Sequence, residues 1–149
     1  MVKRKADELI RNFLLNDKRS LLVTGARQVG KTFSIRKVGK ECFDNVVEIN
    51  FVEQPDAIEL FSEQKGAKDL LLRLSVFTKK PLVPGKTLIF FDEVQECQDI
   101  VTAIKFLVDE GSYKYVMSGS LLGVELDDLR SVPVGYMDEI EMYPLDLLE

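Results

Sequence analysis

Residues 20–32 read SLLVTGARQVGKT, and this stretch decides the fold. A short apolar run, Leu21-Leu22-Val23, leads into G-x-x-x-x-G-K-T, and a sequence compatible with a helix follows. Glycines at the two ends of the loop let the backbone adopt turns that a Cβ would obstruct. The loop then forms a nest of N–H groups, to which the following helix adds its positive dipole end. Strand, loop and helix in this order are typical of the Walker A phosphate-binding motif.

The motif assigns a role to each position of the loop. Lys31 supplies a cation for the β- and γ-phosphates, which makes it a catalytic as well as a binding residue. The Thr32 hydroxyl is a hard oxygen ligand suited to Mg²⁺. We therefore predict that the nucleotide is bound by the loop and the residue after it, namely Gly25, Ala26, Arg27, Gln28, Val29, Gly30, Lys31, Thr32 and Phe33.

Composition limits the alternatives. The chain has 149 residues, 46% of them apolar and 30% charged, which suits one globular domain with a core. A net charge of −5 argues against direct nucleic-acid binding by the domain as a whole, without excluding it. With no histidine in the sequence, His-based metal sites and Ser-His or Cys-His catalysis are excluded.

The compartment is also indicated by the sequence. Cys42 and Cys97 lie far apart and form no C-x-x-C pair, as expected for reduced thiols of a cytosolic protein. The N-terminus has no apolar stretch of signal-peptide length, and no run approaches the ~20 residues needed to cross a bilayer. We therefore expect a cytoplasmic protein that makes no membrane contact.

Apolar periodicity predicts an alternation of strands and helices, and hence an α/β fold with a parallel sheet. One amphipathic face of the first helix is formed by Ala6, Leu9, Ile10, Phe13 and Leu14, and Phe33, Ile35 and Val38 are expected to face the sheet. The leucine-rich helix at 65–77 is expected to be largely buried, and residues 118–120 and 123–134 to form a turn and a loop. The predicted strands are 20–24, 45–51, 87–91, 113–117 and 139–143, and the helices are 3–15, 31–42, 57–61, 65–77 and 98–109.

A second motif, Leu88-Ile89-Phe90-Phe91-Asp92-Glu93, has the Walker B pattern of four apolar residues and two carboxylates. Such a run suits a strand that is covered on both faces, and it delivers the carboxylates to the edge of the sheet where α/β ligands bind. Asp92 is predicted to hold the Mg²⁺ shell and Glu93 to act as general base on the attacking water.

The glutamate beside the aspartate indicates the P-loop ATPases that insert an extra strand between the two motif strands. Residues 113–117 are the candidate, and a hydroxyl after them would contact the water or the γ-phosphate. The sequence does not choose between Ser118 and Ser120 for this catalytic role, and it leaves Gln95 either at the site or facing solvent. A guanine-reading N-K-x-D motif and an L-S-G-G-Q signature are both missing, which disfavours GTPases and ABC ATPases.

The motif set G-A-R-Q-V-G-K-T, I-F-F-D-E-V-Q, S-G-S-L-L-G-V and P-V-G ahead of M-Y-P-L-D resembles the AAA-type ATPase domain of a large bacterial and archaeal family. The resemblance implies a three-layer P-loop fold with a sheet of about five parallel strands in the order 5-1-4-3-2. It also implies ATP and Mg²⁺ as cofactors, with the roles given above for the loop, for Asp92 and Glu93, and for residues 118–120. Adenine rather than guanine follows from the class alone.

Members of that family continue into a helical lid and a C-terminal domain of unassigned function, so we expect the chain to be an N-terminal fragment. An arginine finger is then missing or is Arg130, for which solvation is the simpler interpretation. Such fingers contribute roughly 10³–10⁵ in rate, so slow hydrolysis is expected. The functional alternatives are an ATPase that moves the missing domain, a nucleotide-gated binding module with little turnover, and a DNA-associated ATPase. The protein partner is not indicated, and a homo-oligomer is an option for the full-length protein.

Overall fold

Five parallel strands form a single sheet in the order β2-β3-β4-β1-β5 in a computed structural model that describes residues 5–25, 30–63, 65–120 and 131–142. The predicted order 5-1-4-3-2 is confirmed, since it is the same order taken from the opposite edge. The strands are β1 (Ser20–Gly25), β2 (Asn45–Asn50), β3 (Thr87–Asp92), β4 (Lys114–Ser120) and β5 (Met137–Glu141).

Helices cover both faces of this sheet. They are α1 (Lys5–Asn16), α2 (Lys31–Cys42), α3 (Ala67–Thr78) and α4 (Ile100–Glu110), with 3-10 helices at Pro55–Phe61 and Val94–Glu96. Because side chains alternate along a strand, β3 sends Leu88 and Phe90 to the side of α1 and α2, and Ile89 and Phe91 to the side of α3 and α4. Every residue of β3 is buried, which explains its unbroken apolar run.

An aromatic cluster fixes the end of β3, directly before Asp92. The ring of Phe91 lies 5.5 Å from that of Phe61, 6.0 Å from that of Phe51 and 6.3 Å from that of Tyr115, measured between centroids. These contacts join the first 3-10 helix and strands β3 and β4 into one packed unit. The direction in which the strand delivers its terminal carboxylate is therefore set by core packing.

Four apolar residues that were expected to be buried are exposed. Leu72 and Val76 are 65% and 69% exposed, because α3 buries only the stripe that contains Leu70, Leu71 and Leu74. Leu9 and Phe33 are also exposed, at 47% and 64%, since each points away from the sheet.

The boundaries of the last two strands also differ from the prediction. Residues 118–120 do not form a turn, because β4 continues to Ser120. The last strand begins at Met137 and ends at Glu141, two residues before its predicted end. The loop predicted at 123–134 falls largely outside the described residues. None of the helices in the described part of the chain is long and apolar enough to span a membrane.

Close packing of α2 on the sheet generates a first prediction. A Cβ added at Gly39 would lie 2.9 Å from Leu88 Cδ2 and 3.4 Å from Val46 Cγ2. Leu88 is fully buried and has little room to move. Gly39→Ala is therefore expected to lower the free energy of unfolding by about 1 kcal/mol, since overpacking outweighs the gain in helix propensity.

Chemical denaturation would measure this change. Lys40→Ala on the exposed face of the same helix is the control, with an expected change close to zero. In Leu88→Val, which removes the crowded atom, the penalty for Gly39→Ala should shrink. A more stable Gly39→Ala protein would show that α2 does not rest on the sheet at this distance.

Candidate functional site

The carboxyl ends of four strands bring the predicted site residues to one edge of the sheet. Asp92 at the end of β3 is in register with Asn50 on β2 and with Ser118 on β4. Ser120, two residues farther along β4, pairs with Gly25 at the end of β1. Parallel pairing thus places the start of the glycine loop and the acidic end of β3 on opposite sides of β4.

The start of α2 is joined directly to the end of β3. Thr32 Oγ1 donates a hydrogen bond of 2.9 Å to Asp92 Oδ2. Asp92 is only 3% exposed, and its other carboxylate oxygen accepts the backbone N–H of Glu93 at 2.9 Å. The two oxygen groups predicted to hold Mg²⁺ therefore lie side by side, although 60 residues separate them in the sequence.

Lys31 is buried at the start of α2, with 4% of its surface exposed. Its Nζ donates to the carbonyl oxygen of Gly25 at 3.0 Å, so the Lys31 side chain connects the two residues that flank the loop. Gly30, which precedes α2, has φ 82° and ψ 28°, a left-handed conformation that favours glycine. Four predicted binding residues lie outside the described residues, namely Ala26, Arg27, Gln28 and Val29.

Phe33 does not pack on the sheet, and its exposed ring stands in the first turn of α2 beside Thr32. The helical period explains this, because Ser34 and Ile35 occupy the buried face at this level. The residue is therefore accessible at the site, where a core position had been expected.

Glu93 has a backbone conformation that is unusual for a residue other than glycine. Its φ of 59° and ψ of 48° lie in the left-handed region, at the junction of β3 and the second 3-10 helix. Such a conformation costs of order 1–3 kcal/mol and persists only where the surroundings impose it. Its carboxylate accepts a hydrogen bond of 3.0 Å from Gln95 Nε2.

Both candidate serines lie inside β4 and are buried, with 0% of the surface of Ser118 and 4% of that of Ser120 exposed. The Oγ of Ser118 has no hydrogen-bond partner of ordinary geometry among the described residues. The backbone N–H of Ser120 donates to Gln95 Oε1 at 3.4 Å. The strand thus carries one serine beside Asp92 and the other beside the glycine loop.

Burial dominates the electrostatics of the acidic edge. It raises the pKa of Asp92 above its ordinary value, because removal from water disfavours the charged form. The hydroxyl groups of Thr32 and Ser118 act in the opposite direction and lower this pKa. A buried carboxylate with a raised pKa at the edge of a sheet is typical of a site that binds a cation or a proton.

Asn50 is the residue that the sequence analysis missed. Its Nδ2 donates to Asp92 Oδ2 at 3.3 Å, and its Oδ1 accepts the backbone N–H groups of Val52 and Glu53 at 2.9 and 3.0 Å. Its position at the end of β2, which the predicted strand order places beside β3, was the available signal, but the contact with Asp92 also depends on the register of the two strands. Gln95, for which two positions were open, contacts both Glu93 and β4.

Comparison with solved structures shows a similar fold in two Pif1 helicases. A structure on DNA unwinding at forked double-stranded DNA by two coordinating Pif1 helicases has a TM-score of 0.55 and 17% identity, over 95% of this chain and 44% of that chain. The crystal structure of Pif1 helicase from Candida albicans has a TM-score of 0.58 and 13% identity, over 95% of this chain and 40% of that one. The chain therefore spans less than half the length of these helicases, and identities this low show the fold alone.

Comparison with curated protein sequences finds no match. A family model described as an AAA domain, in contrast, matches residues 17–149, which include both motifs and all five strands. The order of the strands and the convergence of Thr32 and Asp92 agree with that match. The chain belongs to the AAA domain family of P-loop ATPases.

Proposed function

We propose that this domain binds ATP together with Mg²⁺ and hydrolyses the bond between the β- and γ-phosphates. The observation that carries the proposal is the 2.9 Å hydrogen bond between Thr32 and Asp92, since it unites the phosphate-binding end of α2 with the acidic end of β3. Hydrolysis would be coupled to a conformational change in a C-terminal domain that follows this one. Two free cysteines support a reducing compartment, which we take to be the cytoplasm.

Phosphate binding would fall to the loop of residues 25–32 and the start of α2. The left-handed Gly30 and the helix that follows it turn backbone N–H groups and a positive dipole end toward the loop. Lys31 Nζ, which lies 3.0 Å from the Gly25 carbonyl oxygen, would exchange that contact for phosphate oxygens. The exposed ring of Phe33, next to Thr32 in the first turn of α2, would be free to contact the nucleotide.

The residues at the acidic edge fit a magnesium ion. Mg²⁺ prefers oxygen ligands, and the hydroxyl of Thr32 and the buried carboxylate of Asp92 provide two of them side by side. Asn50 would hold the carboxylate in orientation through its hydrogen bond. The ion, when bound, would neutralise charge on the β- and γ-phosphate oxygens.

Glu93 would accept the proton of the attacking water. The water oxygen forms a bond to the γ-phosphorus, the bond to the bridging oxygen breaks, and ADP and phosphate leave. The hydroxyl of Ser118 is buried and forms no hydrogen bond of ordinary geometry with the described residues, although it is near enough to Asp92 to lower its pKa. This supports Ser118 as a donor to the γ-phosphate or the water, with Ser120 as the alternative. Lys31 would stabilise the charge that develops on the phosphate oxygens.

A DNA-associated ATPase is the second candidate, favoured by the likeness in fold to the helicase structure that concerns DNA unwinding. The net charge of −5 disfavours direct contact between DNA and this domain. DNA would then contact another part of the full-length protein, or a homo-oligomer of it. A nucleotide-gated binding module with little turnover is the third alternative.

Nucleotide affinity with and without Mg²⁺ tests the binding site. Lys31→Ala should lower ATP affinity about 10–100-fold under both conditions, because it removes charge-assisted hydrogen bonds. Thr32→Val keeps the shape of the side chain. It should abolish the increase in ATP affinity that Mg²⁺ causes, and leave the affinity without Mg²⁺ unchanged. Isothermal titration calorimetry would measure both variants, with Lys40→Ala on the exposed face of α2 as the control. ATP affinity equal to that of the wild type in Lys31→Ala would refute the site.

Turnover of Glu93→Gln tests the catalytic role. The variant should keep its ATP affinity and lose about 10²–10⁴ in rate, the contribution of a general base. Glu96→Gln, on the exposed neighbouring carboxylate, is the matched control and should retain the wild-type rate. ATP turnover measured with and without single-stranded DNA separates the first candidate from the DNA-associated ATPase, since only the latter should hydrolyse ATP faster when DNA is present. Tight ATP binding by a wild type that forms no ADP within hours would instead favour the nucleotide-gated module.

Burial of Asp92 predicts that the free energy of unfolding depends on pH. Since its pKa is raised in the folded state, the folded protein binds the proton more tightly than the unfolded chain does. The stabilising effect of protonation is present at low pH and is lost as the pH rises through the folded-state pKa. The free energy of unfolding of Asp92→Asn relative to that of the wild type should therefore be higher at pH 7.5 than at pH 4.5.

Urea denaturation at several pH values would measure this difference, with the exposed Asp99→Asn as the control. A relative stability of Asp92→Asn that is constant across this range, or that rises as the pH falls, would contradict the assignment of Asp92 as a desolvated carboxylate.

A further inference from the structure

Gln95 contacts two parts of the site, the carboxylate of Glu93 and the end of β4. It lies in the middle of the 3-10 helix Val94–Glu96, which follows Glu93 directly. Its Nε2 donates to Glu93 Oε2 at 3.0 Å, and its Oε1 accepts the backbone N–H of Ser120 at 3.4 Å. One half-buried side chain therefore links the carboxylate at the end of β3 to the end of β4.

We propose that Gln95 is a positioning residue, which orients the Glu93 carboxylate and makes its position depend on the end of β4. The proposal rests on the ATP hydrolysis proposed above, in which Glu93 is the general base. Gln95 itself contacts neither the nucleotide nor the water in this scheme, and it acts through Glu93.

The chemistry of the two partners fixes how the amide is oriented. A backbone N–H is a donor and an ionised carboxylate is an acceptor, so the amide oxygen must face Ser120 and the amide nitrogen must face Glu93. A glutamate at position 95 would place two carboxylates against each other. An asparagine would be one methylene shorter and would not span both partners. Glutamine therefore fits this position in a way that its close analogues do not.

The support beneath Gln95 is rigid. Val94 is 2% exposed, so the turn is anchored in the core. The backbone N–H of Glu96 donates to the Glu93 carbonyl at 3.2 Å, and that of Cys97 donates to the Val94 carbonyl at 3.0 Å. Because its backbone is held in this way, Gln95 can fix the orientation of the Glu93 side chain.

The other end of the bridge lies next to the nucleotide site. Ser120 pairs with Gly25, where the glycine loop begins, and Ser118 pairs with Asp92. A displacement of the end of β4 would therefore reach Glu93 through Gln95. Correct placement of the general base would follow from correct placement of the strand that carries both serines.

Single-turnover hydrolysis of bound ATP tests the proposal in wild type, Gln95→Ala, Gln95→Glu, Glu93→Gln and the Glu93→Gln, Gln95→Ala double variant. Gln95→Ala should lower the rate about tenfold with ATP affinity unchanged, as expected for the loss of a hydrogen bond to a charged group. Gln95→Glu should be slower still. Gln98→Ala, at an exposed glutamine three residues away, is the control and should match the wild type.

The double variant separates positioning from a merely structural role. If Gln95 acts through Glu93, its loss has no further effect once Glu93 is Gln. An equal loss of rate in both backgrounds, or a wild-type rate in Gln95→Ala, would overturn the proposal.

Amide hydrogen exchange at Ser120 tests the bridge without any turnover. Protection of this amide should be present in the wild type and in Gln98→Ala, and lower in Gln95→Ala. An unprotected Ser120 amide in the wild type would overturn the bridge while leaving hydrolysis intact. A protected Ser120 amide in a protein that forms no ADP would instead refute the proposed hydrolysis. The contact of Gln95 with β4 would then stand, but its role in orienting a general base would be overturned.

Discussion

The hydrogen bond between Thr32 and Asp92 is the interaction on which the rest of the site depends. It forms because the packing of α2 on the sheet and the burial of β3 bring the two side chains to the same place. The close approach of α2 at Gly39 sets where the helix begins, and the burial of all of β3 sets where Asp92 emerges. Neither side chain has much freedom, so the distance between their oxygens is a property of the core.

Burial of Asp92 has an energetic cost that the structure only partly offsets. Desolvation disfavours its charge, while hydrogen bonds from Thr32, Asn50 and the backbone of Glu93 favour it. An apolar residue at the end of β3 would avoid this cost altogether. A carboxylate at this position is what the proposed Mg²⁺ site would require, since Mg²⁺ prefers oxygen ligands.

The parallel sheet and the convergence of Thr32 with Asp92 could be predicted from local signals, namely the glycine loop, the apolar run of β3, and the alternation of strands with helices. The order of the strands followed from the resemblance to the AAA-type family. Exposure of Phe33, Leu72 and Val76 was mispredicted because each belongs to a helix whose buried stripe is selected by its neighbours in space. Asn50 was missed for a similar reason, since its contact with Asp92 depends on strand register. The extension of β4 through Ser118 and Ser120 likewise depends on its pairing with β1 and β3.

Departures from local preference have different meanings in different parts of the chain. Glu63 and Lys79 also have positive φ, at 52° and 56°, but both lie in exposed turns where water solvates the strained backbone. Glu93, in contrast, adopts its left-handed conformation between a buried strand and a turn anchored by Val94. The left-handed residue lets the chain leave β3 sharply, so that Gln95 reaches back to both Glu93 and β4. The left-handed conformation of Glu93 is therefore coupled to the arrangement of Glu93 and Gln95 on which the proposed hydrolysis depends.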